Sequence, residues 1–335
     1  MKVIGIGDFF IPCEYIEKGL AEFKDLEVKT VEWKLSDFDE LQKVNLLIEQ
    51  GGREEYDIPS YIIDAAYDAQ ILFTQFFPVN KKLIDSLPNL KYVGVMRAGY
   101  ENINVEYAKE KGIKVFNTPG RNAHSVSDFT IGMILAEARN IARGHRGIKN
   151  GEWIRDYVNN GFIPDLPGKT VGIIGYGEIG RQVAKKLSGF DVDILIYDPF
   201  CKDVETVDLD TLMAKSDVVT IHARLTEENR HMIGEYELSL MKKTAYIVNT
   251  SRSGLVDEKA LYNALKNRKI MGAALDVYEV EPPPVDYPLV TLDNVTLTPH
   301  MAGGSNDAFK NSPKRLMDDM INSLIGNDGV CRFML

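Results

Sequence analysis

Short apolar runs alternate with amphipathic stretches along the first third of the chain. The runs predict strands at Val3–Gly7, Glu27–Glu32, Ile71–Gln75, Tyr92–Val95 and Lys114–Asn117. The stretches between them predict helices near Tyr15–Phe23, Asp37–Glu49, Asn80–Ser86 and Asn104–Lys111, and residues 49–59 read as a surface loop. Strands that alternate with helices in this way are typical of an α/β fold with a parallel sheet.

A longer helical pattern follows the turn at Asn117-Thr118-Pro119-Gly120. Apolar residues recur at helical spacing from about Ser125 to Asn150, which predicts one long helix with Ser125 or Ser127 as its N-cap. Its later part carries Arg139, Arg143, His145, Arg146 and Lys149. We interpret this basic run as a solvated face, with a subunit-facing surface as the alternative.

A second α/β unit begins at Leu166. Its apolar runs predict six strands at Thr170–Gly175, Asp193–Tyr197, Asp217–His222, Ala245–Asn249, Gly272–Asp276 and Val295–Leu297. A helix is predicted from about Gly180 to Ser188, and another over Asn306–Ile325. Six strands with crossover connections are what a dinucleotide-binding domain requires.

Composition narrows the class of protein. The 335 residues favour two domains, and the hydrophobic (44%) and charged (26%) fractions are those of a globular protein. The net charge of −10 argues against nucleic-acid binding, and no apolar run is long enough to span a bilayer. Cys13, Cys201 and Cys331 lack CxxC spacing, and the N-terminus does not resemble a signal peptide. We therefore expect a cytoplasmic protein without disulfides.

A glycine cluster follows the first strand of the second unit. Gly175, Gly177 and Gly180 fit the pattern GxGxxG, with Glu178 and Ile179 at the start of the next helix. The pattern alone is weak, but its place between a strand and a helix predicts a dinucleotide site. Gly175 would form the tight turn, Gly177 would let the backbone approach the pyrophosphate, and Gly180 would let the helix pack on the strand.

The acidic residue at the end of the next strand indicates which dinucleotide binds. Asp198 lies 18 residues after Gly180. A carboxylate at this place accepts hydrogen bonds from the ribose hydroxyls of NAD and repels the 2′-phosphate of NADP. We therefore predict NAD as the cofactor.

Four motifs occur in a fixed order: LPGKTVGIIGYGEIGRQVA, NTSRSGLVDEKAL, GAALDVYEVEP and TPHMAGG. Together they resemble the D-isomer-specific 2-hydroxyacid dehydrogenase family, over about residues 92–304. The resemblance implies an NAD-dependent oxidoreductase that acts on a small 2-hydroxy or 2-keto carboxylate. It implies a Rossmann domain, residues 120–301, inserted into a smaller flavodoxin-like substrate domain, residues 1–119 plus 302–335. Both would be doubly wound parallel-sheet domains, with the active site in a cleft between them and a homodimer as the assembly.

The chemistry of hydride transfer to a keto acid agrees with that resemblance. It requires a carboxylate anchor and a proton donor besides the cofactor. Arg252 follows the strand YIVNT and offers a planar fork of donors to the carboxylate and keto oxygen. His300 is the natural acid/base, because the ordinary pKa of histidine lies near neutrality. Glu281, selected by the family's EP dipeptide, would hydrogen-bond His300, fix its tautomer and favour the protonated imidazole.

The resemblance also implies where other residues contact the ligands. Asp276, Thr250 and Ser251 would line the nicotinamide pocket, and Ala223 and Arg224 would lie along the adenosine side. Many relatives have proline in place of Arg224. The backbone around Arg97, Ala98 and Gly99 corresponds to the segment that holds the substrate carboxylate.

Several alternatives stay open at the level of sequence. The Arg97 side chain either binds a second anionic group of the substrate or pairs with Glu101 and holds the loop. Phosphoglycerate, hydroxypyruvate, glyoxylate and a less common sugar acid all remain candidate substrates. About 30 residues follow His300, which leaves no room for the C-terminal regulatory domain of many phosphoglycerate dehydrogenases.

Two competing functions and a metal site are less favoured. A non-enzymatic NAD-sensing corepressor would not need Arg252, Glu281 and His300 together. An L-specific lactate or malate dehydrogenase would carry its glycine cluster near the N-terminus. The remaining histidines (His124, His145, His222 and His231) lack metal-binding spacing, so no metal is expected.

Overall fold

The structure is a computed structural model that describes residues 1–49, 51–326 and 334–335. Its strands are Lys2–Gly7 (β1), Glu27–Glu32 (β2), Ile71–Thr74 (β3), Tyr92–Val95 (β4), Lys114–Phe116 (β5), Thr170–Ile174 (β6), Asp193–Tyr197 (β7), Val218–Ile221 (β8), Tyr246–Asn249 (β9), Gly272–Leu275 (β10) and Val295–Leu297 (β11). Its α-helices are Cys13–Leu20 (α1), Phe38–Glu49 (α2), Ser60–Ala66 (α3), Lys81–Ser86 (α4), Val105–Glu110 (α5), Ala123–Ala138 (α6), Ile141–Lys149 (α7), Glu178–Leu187 (α8), Leu209–Lys215 (α9), Glu235–Leu240 (α10), Glu258–Lys266 (α11) and Asn306–Leu324 (α12). Cys331 lies outside the described residues, whereas Cys13 and Cys201 are free thiols.

The chain divides into two compact units. One comprises Met1–Asn122 and Ser305–Leu335, and the other comprises Ala123–Gly304. These limits lie three residues beyond those expected from the sequence, which were 119/120 and 301/302. The second unit is thus inserted into the chain of the first.

The first unit is built on a five-stranded sheet. Its strand order is β2-β1-β3-β4-β5, and every pairing is parallel. This is the flavodoxin-like order, in which the direction of winding reverses at β1. Central strand β3 is buried along its whole length, because helices cover both faces of the sheet. The carboxyl ends of β1, β3, β4 and β5 therefore share one edge.

The second unit is built on a six-stranded parallel sheet. Its order is β11-β10-β9-β8-β6-β7, so the reversal falls at β6, directly before the glycine cluster. Strands β8, β9 and β10 are fully buried. The predicted fold class of two doubly wound parallel-sheet domains is confirmed.

The predicted long helix is wrong in two respects. It starts at Ala123, before either proposed serine cap, and it is interrupted, with α6 ending at Ala138 and α7 starting at Ile141. Asn140 between them has φ 59°, a left-handed conformation that an α-helix cannot contain. Apolar residues continue at helical spacing across this break, although Ile141 and Ile148 of α7 are exposed, so the sequence pattern does not reveal it.

The sequence analysis interprets the basic run of this segment as a solvated face, but the run is not uniformly solvated. The Arg143 guanidinium is buried against Glu137, with Nη2 at 2.7 Å and 2.8 Å from its two carboxylate oxygens. His145 and Arg146 are exposed. Within residues 49–59, which we predicted to be a loop, Gly52–Glu55 form a 3₁₀ turn. In the part of the chain that is described, no helix is both long and apolar enough to traverse a lipid bilayer.

Candidate active site

The glycine cluster forms a tight turn between β6 and α8. Gly175 has φ +90°, and a Cβ there would lie 2.5 Å from the backbone nitrogen of Ala223. A Cβ on Gly180 would lie 2.2 Å from the carbonyl oxygen of Gly175. In contrast, the space beside Gly177 is open to 4 Å. The turn therefore leaves room for a ligand beside Gly177 and at the N-terminus of α8, where backbone N–H groups lack helical partners.

Asp198 lies directly after β7 and faces this turn. Its Oδ2 accepts a hydrogen bond from the backbone N–H of Tyr176 at 2.7 Å, and Oδ1 accepts from the N–H groups of Phe200 and Cys201. A carboxylate has about four acceptor sites, so these bonds leave capacity for a ligand hydroxyl. Asp198 thus ties the glycine turn to the end of the neighbouring strand.

The segment after β8 packs against the glycine turn. Ala223 contacts Gly175 through its backbone, whereas Arg224 is exposed and its carbonyl oxygen accepts from Asn229 Nδ2 at 2.7 Å. His222 Nε2 lies 3.0 Å from Thr220 Oγ1. Burial lowers the pKa of His222 to about 3, so its imidazole is neutral at physiological pH.

Arg252 is presented by a rigid loop at the end of β9. Asn249 Oδ1 accepts from the backbone N–H and the hydroxyl of Ser251, and its Nδ2 donates to the Arg252 carbonyl at 2.9 Å. The Arg252 side chain is exposed, with Nη1 donating to the Ser251 carbonyl at 2.7 Å. Its remaining donors point to no described acceptor within hydrogen-bond range. Thr250 is buried, and its hydroxyl lies 2.8 Å from that of Thr130 on α6.

His300 and Glu281 are in direct contact. His300 Nδ1 lies 2.7 Å from Glu281 Oε2, and the other carboxylate oxygen accepts the backbone N–H of Tyr278 at 3.0 Å. His300 has φ 48°, which is unfavourable for a side-chain-bearing residue and must be imposed by its surroundings. About half of the imidazole is exposed, which leaves Nε2 available to a ligand.

Asp276 holds the backbone around His300 in this unfavourable conformation. It is fully buried, and its carboxylate accepts hydrogen bonds from Thr298 Oγ1, the Met301 N–H and the Ala302 N–H, at 2.6–3.0 Å. These groups flank His300 on both sides. The sequence resemblance suggested a contact with the nicotinamide for this residue and missed its hydrogen bonds to the loop, because residues 22 to 26 positions away gave no local signal.

The loop after β4 in the first unit contains the other predicted site residues. Arg97 Nε donates to the Gly99 carbonyl at 2.9 Å, and Nη2 lies 2.5 Å from Glu101 Oε2. Ala98 is exposed, and its carbonyl accepts from Asn117 Nδ2 at 2.6 Å. A side chain at Gly99 would displace the Arg97–Glu101 pair, because its Cβ would come within 2.8 Å of both side chains. These contacts link the loop to itself and to Asn117, which follows β5.

Within the second unit, the structure gathers the predicted residues at the carboxyl edge of the sheet. They follow β6 (Gly175–Gly180), β7 (Asp198), β8 (Ala223, Arg224), β9 (Thr250–Arg252), β10 (Asp276, Glu281) and β11 (His300). The sequence analysis missed Asn249, Tyr278 and Thr298, which orient the site. Among the described residues, no three His, Cys, Asp or Glu side chains are grouped as metal ligands would be.

A doubly wound parallel sheet with a glycine turn at its switch point defines a dinucleotide-binding protein. The comparison with known families is more specific, since residues 131–302 match the family model of the D-isomer specific 2-hydroxyacid dehydrogenase NAD binding domain. The chain belongs to this family of NAD-dependent oxidoreductases. The predicted family, enzyme class and cofactor are thereby confirmed.

Characterised and solved relatives are similar to the chain in different ways. A glyoxylate reductase from Thermofilum pendens is 43% identical over 258 residues, which are 74% of this chain and 76% of that protein. A D-3-phosphoglycerate dehydrogenase from Methanocaldococcus jannaschii is also 43% identical over 258 residues, but these are only 48% of its length. In fold, the chain resembles the NAD-complexed D-isomer specific 2-hydroxyacid dehydrogenase of Lactobacillus delbrueckii ssp. bulgaricus, with a TM-score of 0.77, 24% identity and full coverage of both chains.

Proposed function

We propose that the protein transfers hydride between NAD(H) and a small D-2-hydroxy or 2-keto carboxylate, with His300 as the acid/base. The observation that carries this proposal is the 2.7 Å contact between His300 Nδ1 and Glu281, at a histidine held in an unfavourable backbone conformation. A carboxylate on Nδ1 fixes the proton there and leaves Nε2 as the reactive nitrogen. NAD, when bound, supplies or accepts the hydride.

In keto-acid reduction, protonated His300 donates its Nε2 proton to the carbonyl oxygen. Glu281 stabilises the imidazolium through the Nδ1–H bond, so the positive charge is balanced before the proton leaves. In the reverse direction, neutral His300 accepts the hydroxyl proton at Nε2. Asp276 acts on this step as a positioning residue, because it holds the backbone on both sides of His300.

Arg252 is the proposed anchor for the carboxylate and the keto oxygen. The Asn249 side chain fixes its loop, and one guanidinium nitrogen is already held by the Ser251 carbonyl. The fork that remains is the geometry that binds a carboxylate through two parallel hydrogen bonds. A fixed loop lowers the entropy cost of this binding.

The remaining residues are assigned to the cofactor and the substrate. Gly175, Gly177, Glu178, Ile179 and Gly180 would bind the pyrophosphate, and Asp198 the adenosine ribose. Ala223 and Arg224 would lie along the adenosine, with Thr250, Ser251 and Asp276 toward the nicotinamide. In the first unit, which we propose is the substrate domain, Arg97, Ala98 and Gly99 would contact the substrate. A homodimer is the proposed assembly.

The test is NADH oxidation at neutral pH with glyoxylate, hydroxypyruvate, pyruvate, 2-ketoglutarate and phosphohydroxypyruvate. His300→Ala should lower kcat by about 10²–10⁴-fold on any active substrate, because it removes the proton donor, and should leave NADH binding nearly unchanged. His145→Ala, which alters an exposed histidine on α7, is the matched control. Undiminished turnover by His300→Ala would refute the acid/base role, and NADH binding without turnover of any keto acid would favour the sensor function.

A further inference from the structure

Glu281 lies on an exposed segment between β10 and β11. Of the eight residues 279–286, seven are exposed, among them Val280 at 54% and Val285 at 93%. A segment that buries so little apolar surface has low local stability, so packing alone does not fix the Glu281 carboxylate beside His300. We name residues 278–287 the Glu281 loop.

The first residue of the Glu281 loop is anchored to the sheet. Tyr278 is buried, and its hydroxyl donates to the Thr298 carbonyl at 2.8 Å. Its backbone N–H donates to Glu281 Oε1 at 3.0 Å, while Glu281 Oε2 contacts His300 Nδ1. These bonds orient the Glu281 carboxylate, but they leave the remainder of the loop to be held by other groups.

Glu258, the first residue of α11, bonds to both ends of the Glu281 loop. Its Oε1 accepts the backbone N–H of Glu279 at 2.8 Å, and its Oε2 accepts the hydroxyl of Tyr287. Glu279 and Tyr287 lie on either side of Glu281 in the chain. One carboxylate, carried by a helix, therefore closes the loop at its base.

The protonation states of the two side chains suit this arrangement. Burial raises the pKa of Glu258, and the charges of Glu279 and Glu281 act in the same direction, whereas the hydrogen bonds from Tyr287 and the Glu279 N–H oppose the rise. Burial, together with the bond to Glu258, also raises the pKa of Tyr287, so the phenol keeps its proton and donates it. The influence of Glu281 on Glu258 places the two carboxylates within electrostatic range of each other.

A further contact to the Glu281 loop is weaker. His231 Nε2 lies 3.5 Å from Glu279 Oε1, and the two side chains are 40% and 46% exposed. An ion pair in such surroundings contributes little, because water screens it and two side chains must be ordered to form it. Glu258 is therefore the main polar anchor of the loop beyond Tyr278.

We propose that Glu258 is a positioning residue for hydride transfer, which closes the Glu281 loop and so holds Glu281 against His300 Nδ1. It acts through Glu281, as Asp276 acts through the backbone around His300. The inference rests on the proposed function and deepens it, because it names a group on which the acid/base pair depends.

Glu258→Ala removes both bonds to the loop. It should lower kcat for keto-acid reduction by about 10–100-fold and change the Kd for NADH by less than about threefold, because a displaced Glu281 misaligns the proton donor but not the cofactor. The weakened contact also stabilises the imidazolium less, so the fall of kcat/KM with rising pH should begin about 0.5–1 pH unit lower. The other titratable groups that face the loop are unchanged in this variant: His231, Asp276, Tyr278, Glu279, Tyr287 and His300.

Glu258→Gln separates position from charge. Its amide oxygen accepts the Glu279 N–H and its amide nitrogen donates to the Tyr287 hydroxyl, so the loop stays closed without the charge. This variant should keep kcat within about fivefold of the wild type and the pH profile within about 0.2 unit. A shift as large as that of Glu258→Ala would overturn the proposal, because it would assign the effect to charge alone.

Asp257→Ala is the matched control for α11. Asp257 caps this helix by accepting the Ala260 N–H at 3.0 Å, so its loss destabilises the same helix and leaves the contacts of the Glu281 loop in place. His231→Gln removes only the exposed pair with Glu279. Both variants should keep the wild-type pH profile, and the profile of Glu258→Ala in either of them would contradict the proposal.

NMR titration of the His300 imidazole in the enzyme without substrate separates this inference from the proposed function. The resonance is identified by its loss in His300→Ala. Its titration midpoint should lie about 0.5–1 pH unit lower in Glu258→Ala than in the wild type, even if no keto acid is turned over. Equal midpoints would refute the role of Glu258, whereas a shifted midpoint with full activity of His300→Ala would refute the acid/base role alone.

Discussion

At the scale of single residues, the candidate site contains residues in backbone conformations or environments that are unfavourable for them. His300 occupies a left-handed backbone conformation because Asp276 and Glu281 hold it there. His222 is the second example, since its Nδ1 is shielded from solvent and has no partner among the described residues. Such features cost stability and are retained where a site requires them.

Burial of His222 predicts an acid-sensitive stability. Its folded-state pKa of about 3 lies below the ordinary value of 6.5, so between these values the unfolded chain binds the proton and the native state does not. The stability contributed by this group is complete above pH 6.5 and is lost as the pH falls. By pH 5 the loss should approach about 2 kcal/mol.

Urea denaturation at pH 7.5 and pH 5 measures this effect. His222→Gln should lack that part of the pH dependence, whereas His145→Gln, at an exposed site, should retain it. An identical pH dependence in the wild type and His222→Gln would contradict the account.

At the scale of elements, α6 and α7 are joined by a buried ion pair in place of a continuous helix. Glu137 on α6 accepts from Arg143 on α7 and from Thr296 Oγ1 on β11, so one carboxylate connects three elements. Burial raises the pKa of Glu137, and Arg143 opposes that rise. The pair therefore specifies how the two helices meet at the edge of the six-stranded sheet.

Removal of one member of the Glu137–Arg143 pair should lower the stability of the folded protein. Arg143→Met should lower the free energy of unfolding by about 3–5 kcal/mol, because it leaves a buried carboxylate without its counter-charge. The double variant Glu137→Gln/Arg143→Met should be more stable than Arg143→Met alone. Arg139→Met, which breaks an exposed pair with Asp165, should cost less than about 1 kcal/mol in the same denaturation series. Additive losses in the double variant would show that the pair is not coupled.

At the scale of the whole molecule, an apolar surface on the inserted unit suggests assembly. Ile141, Ile148, Trp153 and Phe162 are all more than half exposed, with Trp153 at 82%. Apolar side chains that follow one another along such a segment are typical of an interface between subunits. We therefore propose that two copies associate through residues 141–163.

Analytical ultracentrifugation tests this assembly. Trp153→Glu should convert the dimer to a monomer, because it places a charge in the apolar contact. Val285→Glu alters an equally exposed apolar residue outside this segment and should leave the dimer intact. A wild type that sediments as a monomer would exclude the proposed homodimer.

Local chemistry explains why so much could be predicted from the sequence. GxGxxG between a strand and a helix, and Asp198 after the next strand, are short-range patterns whose steric requirements can be stated residue by residue. Arg252 was predicted from its place after a strand of a parallel sheet, because the carboxyl ends of such strands share an edge. His300 was assigned from the ordered motifs that resemble the family and from the acid/base chemistry of histidine.

The sequence by itself determined the α/β class, the alternation of strands and helices, and the residues offered for chemistry, because hydrophobic period and turn residues are properties of neighbouring positions. Only the tertiary structure decided which distant groups hold these candidate site residues in position. The hydrogen bonds of Asp276 to the His300 loop and of Thr296 to Glu137 join residues far apart in the chain, and the break at Asn140 brings Arg143 onto the same Glu137 carboxylate. Burial, charge balance and backbone strain depend on packing in three dimensions, and no periodicity along the chain encodes them.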